Sequence, residues 1–304
     1  MAHFHEHHEH HHAPVSSLNK AFTVGISLNI LFVLAEFLAG LHFNSLGLLS
    51  DAGHNLSDVA SFVLAMLAFR LAKLPATERF TYGYKKSTVL VSLLNAVILL
   101  LAVGMILYES VEKLLTPQAV DGNAIAWVAG IGVFINGLTA WLFLKDKDKD
   151  LNAKGAYLHM LADALVSVGV VVSGIVIQNT GWSVIDPVIG LVIGFVIIYS
   201  TWGLLRDSVR LSLDGVPAEK DVKVIEQTII SVDGVENVHH LHIWAISTTE
   251  TALTAHVILK DMQQMEDIKN AIKHQLFHVG IQHATIEFEH TESHCDAVDC
   301  NPLQ

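Results

Sequence analysis

Two apolar stretches of this 304-residue chain each carry a histidine followed four residues later by an aspartate: His54 with Asp58, and His159 with Asp163. On a helix that spacing sets both side chains on one face, one turn apart. An ionisable group deep in a bilayer costs several kcal/mol, so each one in an apolar span requires a partner or a task. If the two helices face each other, two imidazoles and two carboxylates converge. That is a ligand set zinc accepts in tetrahedral geometry, with no thiolate to hold the ion too long. A single His-x-x-x-Asp is a weak signal, because a histidine beside a carboxylate is common at helix ends. The second copy gives it weight, since unpaired buried charge is destabilising and each copy neutralises the other. Asp51, one turn before His54, reads equally as a ligand, as a support for the ligands or as an entrance residue. Glu36, Asn29, Asn95 and Asn136 are further polar residues in apolar spans; hydrogen bonds between helices account for them, with a hydrated path to the site as the other reading.

The elements that must position these groups follow from composition. Apolar residues make up 52% of the chain and charged ones only 16%, which points to a membrane. Six apolar segments stand at about 21–41, 46–72, 88–108, 123–144, 153–178 and 184–205. Each is long enough for a helix that crosses a hydrocarbon core of ~30 Å, which takes about 20 residues. Arg70, Lys73, Arg79, Lys85 and Lys86 lie between the second and third segments, Lys145, Lys147, Lys149 and Lys154 between the fourth and fifth, and Arg206 and Arg210 after the sixth. The opposite connections hold only Lys113, so the positive-inside rule puts both termini in the cytoplasm.

Beyond Asp214-Gly215-Val216-Pro217 the pattern changes. Ala218 to Ser231 reads as an amphipathic helix, Val232 to Val235 as a turn, and Val238 to Ile246 and Ala252 to Leu259 as alternating strands. A helix over 262–279 and a strand over 284–289 complete an α-β-β-α-β order, a small α+β ferredoxin-like layer with two helices on one face. So small a core gains from dimerisation. From Asp207 onward 16 acidic residues face 6 basic ones, a balance that repels nucleic acid and favours cations. Cys295 and Cys300 are the only cysteines, both near the C-terminus, so nothing suggests a disulfide-stapled secreted domain. Seven histidines in the first twelve residues lack the basic-then-apolar order of a signal peptide. The expected organisation is a histidine-rich cytoplasmic tail (1–20), a six-helix transmembrane domain (21–206), a cytoplasmic metal-binding domain (207–290) and a cysteine-containing tail (291–304).

Leu49 to Asp58 (LSDAGHNLSD) and His159 to Asp163 (HMLAD) resemble the paired metal motifs of the cation diffusion facilitator family. The resemblance extends over nearly the whole chain, through Arg79 to Lys86 (RFTYGYKK), Asp186-Pro187, Val238 to Ile246 (VHHLHIWAI), Ala255-His256-Val257 and Ala284 to Glu289 (ATIEFE). It is closest to the bacterial branch that exports zinc and cadmium, itself similar to vertebrate zinc transporters. The resemblance implies a homodimer in the inner membrane, each protomer exchanging cytoplasmic zinc for protons at one intramembrane site. Two histidines with two aspartates are the zinc-preferring version of that site. It also implies cytoplasmic metal ligands at His239, His256 and Glu289, with His240 a further candidate and Cys295, Cys300 and the first twelve residues as contributors. Glu78, Phe80 and Tyr84 stand where some members carry ligands between helices two and three, so no metal site is expected in that loop. Lys86 and Asp214 fall near positions of a dimer-stabilising charge contact in relatives.

Metal binding needs deprotonated ligands, so loading zinc expels protons and their return helps release it. The expected mechanism is secondary active transport, with helices two and five rocking around a fixed site. Two rivals remain. His-x-x-x-Asp also serves as a general base in membrane-bound acyltransferases, although duplication in two spans without an acyl-carrier motif argues against an enzyme. A metal sensor that binds zinc without moving it is the other. Tetrahedral His₂Asp₂ sites accept Zn²⁺, Cd²⁺ and Co²⁺ alike, so the pattern does not choose among them.

Overall fold

A computed structural model describes residues 15–42, 46–116, 122–182 and 184–290. Six long helices come first: α1 (Val15–His42), α2 (Leu46–Ala72), α3 (Ser87–Leu115), α4 (Gly122–Phe143), α5 (Leu151–Thr180) and α6 (Ile185–Ser212). All six expected apolar segments are helical. Where the helices overrun them, as α3 does through Glu109 and Lys113 and α6 through Arg206 and Arg210, the added turns include charged and polar residues that apolarity alone does not detect. Among the described residues, two stretches are long and apolar enough to cross a bilayer by length and composition, Ser87–Leu115 and Pro187–Ser212.

The chain divides into two compact units, one made of residues 1–66, 103–148 and 153–197, the other of 67–102, 149–152 and 198–304. In the first unit the usual distribution of polarity is inverted. Asn29, Asp58, Asn136, Thr139 and His159 are buried, while Leu31, Leu38, Phe134, Trp141, Ile175 and Phe195 are exposed. Phe22, Phe62 and Phe143 form an aromatic cluster, Phe22 lying edge-on to Phe143 with ring centroids 4.8 Å apart. Asn29 donates from Nδ2 to the Gly25 carbonyl of its own helix at 2.9 Å and reaches Thr139 Oγ1 of α4 at 3.5 Å, so the expected interhelical contact is present at this residue. Gly169 of α5 packs so tightly on α6 that a Cβ would sit 2.7 Å from Ile193 Cδ1 and 2.8 Å from Ile189 Cγ2, a close approach that only a small residue permits.

In the second unit α7 (Val222–Ile230), β1 (Val235–Ala245), β2 (Thr251–Leu259), α8 (Met265–His278) and β3 (His283–His290) follow in the expected α-β-β-α-β order. The sheet order is β1-β2-β3, with β1 antiparallel and β3 parallel to β2. Asp221 caps α7 by accepting from the amides of Lys223 and Val224, which starts that helix later than its apolar pattern implies. Ile225 and Ile229 of α7 and Ile268, Ile272 and Leu276 of α8 share one core with the alternating inward residues of β1 and β2.

A polar junction ties the β1–β2 loop to helix ends within the same unit. Thr248 donates from Oγ1 to Asp150 Oδ2, and Asp150 Oδ1 accepts from the Asn152 amide at 2.8 Å, capping the start of α5. The Thr248 amide donates to Thr88 Oγ1 at 3.1 Å, and Asn152 Nδ2 to the Thr88 carbonyl at 3.0 Å. Lys85 pairs with Glu250 at 2.6 Å. Lys86 Nζ meets Asp214 Oδ1 at 2.5 Å and donates to the carbonyls of Leu211 and Ala245, so the charge contact suggested for this pair exists within one chain. Asp150 and Thr88 are buried, which raises the cost of losing a partner. Asp150→Ala removes a cap and leaves the Thr248 hydroxyl without its acceptor, and is expected to cost about 1–3 kcal/mol. Thermal melting of the purified protein checks this against the exposed Asp148→Ala, which should leave the midpoint unchanged.

Candidate metal centres

In the first unit α2 and α5 present Asp58, His159 and Asp163 to one another. His159 Nε2 lies 2.5 Å from Asp58 Oδ1 and 3.7 Å from Asp163 Oδ2. One ligand atom from each of the three falls within 4.8 Å of the others. Asp58 is 2% exposed and His159 6%, so water screens little of their interaction. The Phe62 ring stands edge-on to the His159 imidazole at 6.4 Å and forms part of the apolar wall. Two carboxylates around one imidazole leave negative charge in excess, which a divalent cation or protons must balance.

The i, i+4 spacing in α5 does what the sequence pattern requires: His159 and Asp163 share a face one turn apart. Positions 51, 54 and 58 lie on the uninterrupted α2. The side chains of His54 and Asp51 fall outside the described residues, as do Cys295, Cys300 and the N-terminal histidines. Asn136 is buried in α4, and its Oδ1, like that of Asn29, has no hydrogen-bond partner among the described residues.

The second constellation is on the sheet. Opposed positions of β1 and β2 set His239 against His256, and β3 brings Glu289 between them. Glu289 Oε1 is 2.6 Å from His256 Nδ1 and Oε2 is 3.3 Å from His239 Nε2. His239 Nε2 is buried beside that carboxylate, as suits a nitrogen whose lone pair serves a metal. Regular alternation would send His239 and His240 to opposite faces. Instead the pairing slips between His239 and His242, and His240 takes a left-handed φ of 48°. Such bulges re-aim side chains. His240 thereby stands 4.9 Å from the His256 ring and 4.5 Å from that of His242. Sequence reasoning missed Glu287, which approaches His256 Nε2 at 3.5 Å. Its i, i+2 relation to Glu289 on one strand was the available signal.

Comparison with known proteins identifies the family. Residues 22–211 match the model of the cation efflux transmembrane domain, and residues 217–291 that of the cation efflux protein cytoplasmic domain. Similar proteins include a cadmium, cobalt and zinc/H(+)-K(+) antiporter of Bacillus subtilis, 36% identical over 277 residues and covering 89% of both chains. The zinc transporter ZitB of Escherichia coli is 33% identical over 304 residues, covering 99% of this chain and 96% of its own. The metal cation efflux system protein CzcD of Cupriavidus metallidurans is 34% identical over 275 residues, covering 89% of this chain and 86% of its own. The chain belongs to the cation efflux, or cation diffusion facilitator, family. That is a family of membrane cation transporters rather than a class of enzymes.

If Asp58 and His159 form one electrostatic unit, removing both costs less than the sum of the single removals. A double-mutant cycle with Asp58→Ala and His159→Ala, read as thermal stability in detergent without metal, should give a coupling of about 1–3 kcal/mol. Additive losses would mean that the two groups do not sense each other.

Proposed function

We propose that the protein exports zinc, with cadmium and cobalt as alternative substrates, across the bacterial inner membrane by exchange for protons. The observation that carries this reading is the convergence of Asp58, His159 and Asp163 from two helices that are otherwise apolar. His54, one turn from Asp58, supplies the fourth ligand, and Asp51 lines the approach. Carboxylate and imidazole suit zinc without holding it as thiolates do. The names of the relatives, which cite zinc, cadmium and cobalt, support the same substrates.

All six helices cross the bilayer in this proposal, although among the described residues two meet the criteria of length and apolarity. Apolar side chains on the outside, polar ones inside, and a transmembrane family match over residues 22–211 support it. Lys and Arg between α2 and α3 and between α4 and α5 favour cytoplasmic termini. The organisation is then a cytoplasmic histidine-rich tail (1–20), the membrane domain (21–206), the ferredoxin-like cytoplasmic domain (207–290) and the cysteine tail (291–304).

Metal enters from the cytoplasm past polar groups such as Asn136, whose unpartnered buried oxygen suits a hydrated route. As zinc binds, the imidazoles and carboxylates surrender their protons; on the far side protons return and weaken the ligands' hold. Exchange then follows from ligand chemistry when α2 and α5 open to one face at a time. In the cytoplasmic domain His239, His256 and Glu289, with His240 beside them and Cys295 and Cys300 as contributors, hold a resident metal ion whose role is to join or bias two protomers of a homodimer.

Zinc flux and internal pH recorded together in proteoliposomes test this. Asp163→Ala should abolish both signals. Glu289→Gln should retain transport while lowering zinc affinity of the cytoplasmic domain by about tenfold or more. Zinc binding without flux in the unaltered protein would instead make it a sensor.

A further inference from the structure

The outer face of α8 carries a histidine pair that belongs to neither constellation described above. Ile268, Ile272 and Leu276 turn inward along this helix and are buried. His274 and His278 stand two positions on from Ile272 and Leu276 and therefore project from the opposite, exposed face. Their i, i+4 spacing stacks the rings one turn apart with centroids 4.6 Å apart. The two Nε2 atoms are 3.4 Å from each other.

That separation fits a shared metal better than a hydrogen bond. A good bond to a ring nitrogen has a heavy-atom distance of about 2.9–3.0 Å. Two imidazole nitrogens each ~2.1 Å from one tetrahedral zinc ion stand about 3.4 Å apart. His278 is the last residue of α8, where the outward-pointing carbonyls concentrate the negative end of the helix dipole, and a cation gains from that position. Both side chains reach solvent, so water can complete the coordination shell.

We propose that His274 and His278 form a bidentate binding site for a zinc-class divalent ion on the cytoplasmic domain, separate from the His239/His256/Glu289 group. With two protein ligands it binds more weakly than that group and exchanges faster, which suits transient capture of the ion.

Equilibrium dialysis of the purified full-length protein against Zn²⁺ tests the site, comparing the unaltered chain with His274→Gln, His278→Gln and the double variant. A chelate needs both rings, so each single variant and the double variant should lose the same one equivalent of weakly bound zinc. Circular dichroism should be unchanged, because neither ring contributes to the core. Full stoichiometry in the double variant would overturn the proposal. Partial, additive losses in the single variants would also overturn it, by showing independent binding to isolated histidines. Because neither residue is one of the proposed transport ligands, zinc flux of the double variant separates failure of this site from failure of the transport reading.

Discussion

Carboxylates and imidazole buried between apolar helices impose the constraint around which the membrane part of this protein is organised. Asp58 and His159 are buried and Asp163 is only partly exposed, so these groups are satisfied chiefly by one another and by what they bind. The spacing within α5 and the facing of α2 toward α5 both serve that end. The aromatic cluster of Phe22, Phe62 and Phe143 and the close approach of α6 at Gly169 hold the surrounding helices at fixed separations. A site that must hold an ion and then release it requires ligands that are strong only when deprotonated, and aspartate and histidine meet that condition.

Much of this was legible in the sequence because helical periodicity is a local property. Histidine and aspartate four apart in an apolar run can face only one way, and finding the pattern twice pointed to a meeting of α2 and α5. The alternating residues of β1 and β2 were legible for the same reason. Helix ends were less so. The last turns of α3 and α6 are polar, and Asp221 starts α7 through a side-chain hydrogen bond that hydropathy does not register.

Features that depend on contacts between distant residues were not legible. Thr248 and Asp150 are nearly a hundred positions apart, and neither residue type distinguishes a buried junction from an ordinary loop. In β1 the alternation rule itself misleads at His240: only the slipped pairing and left-handed backbone bring its ring toward His256. Glu287 was passed over because one carboxylate in an acidic domain carries little signal until β3 is placed beside β2. The His274 and His278 pair had helical spacing from the start, but its meaning rests on a nitrogen-to-nitrogen distance that only coordinates supply.

The most direct measurement of the central claim is anomalous X-ray scattering at the zinc edge from crystals of the zinc-loaded protein. The account predicts a peak between α2 and α5, with one oxygen each of Asp58 and Asp163 and the His159 Nε2 at about 2.0–2.2 Å. Zinc held elsewhere in the membrane domain, with Asp58 and His159 still bonded to each other, would contradict it.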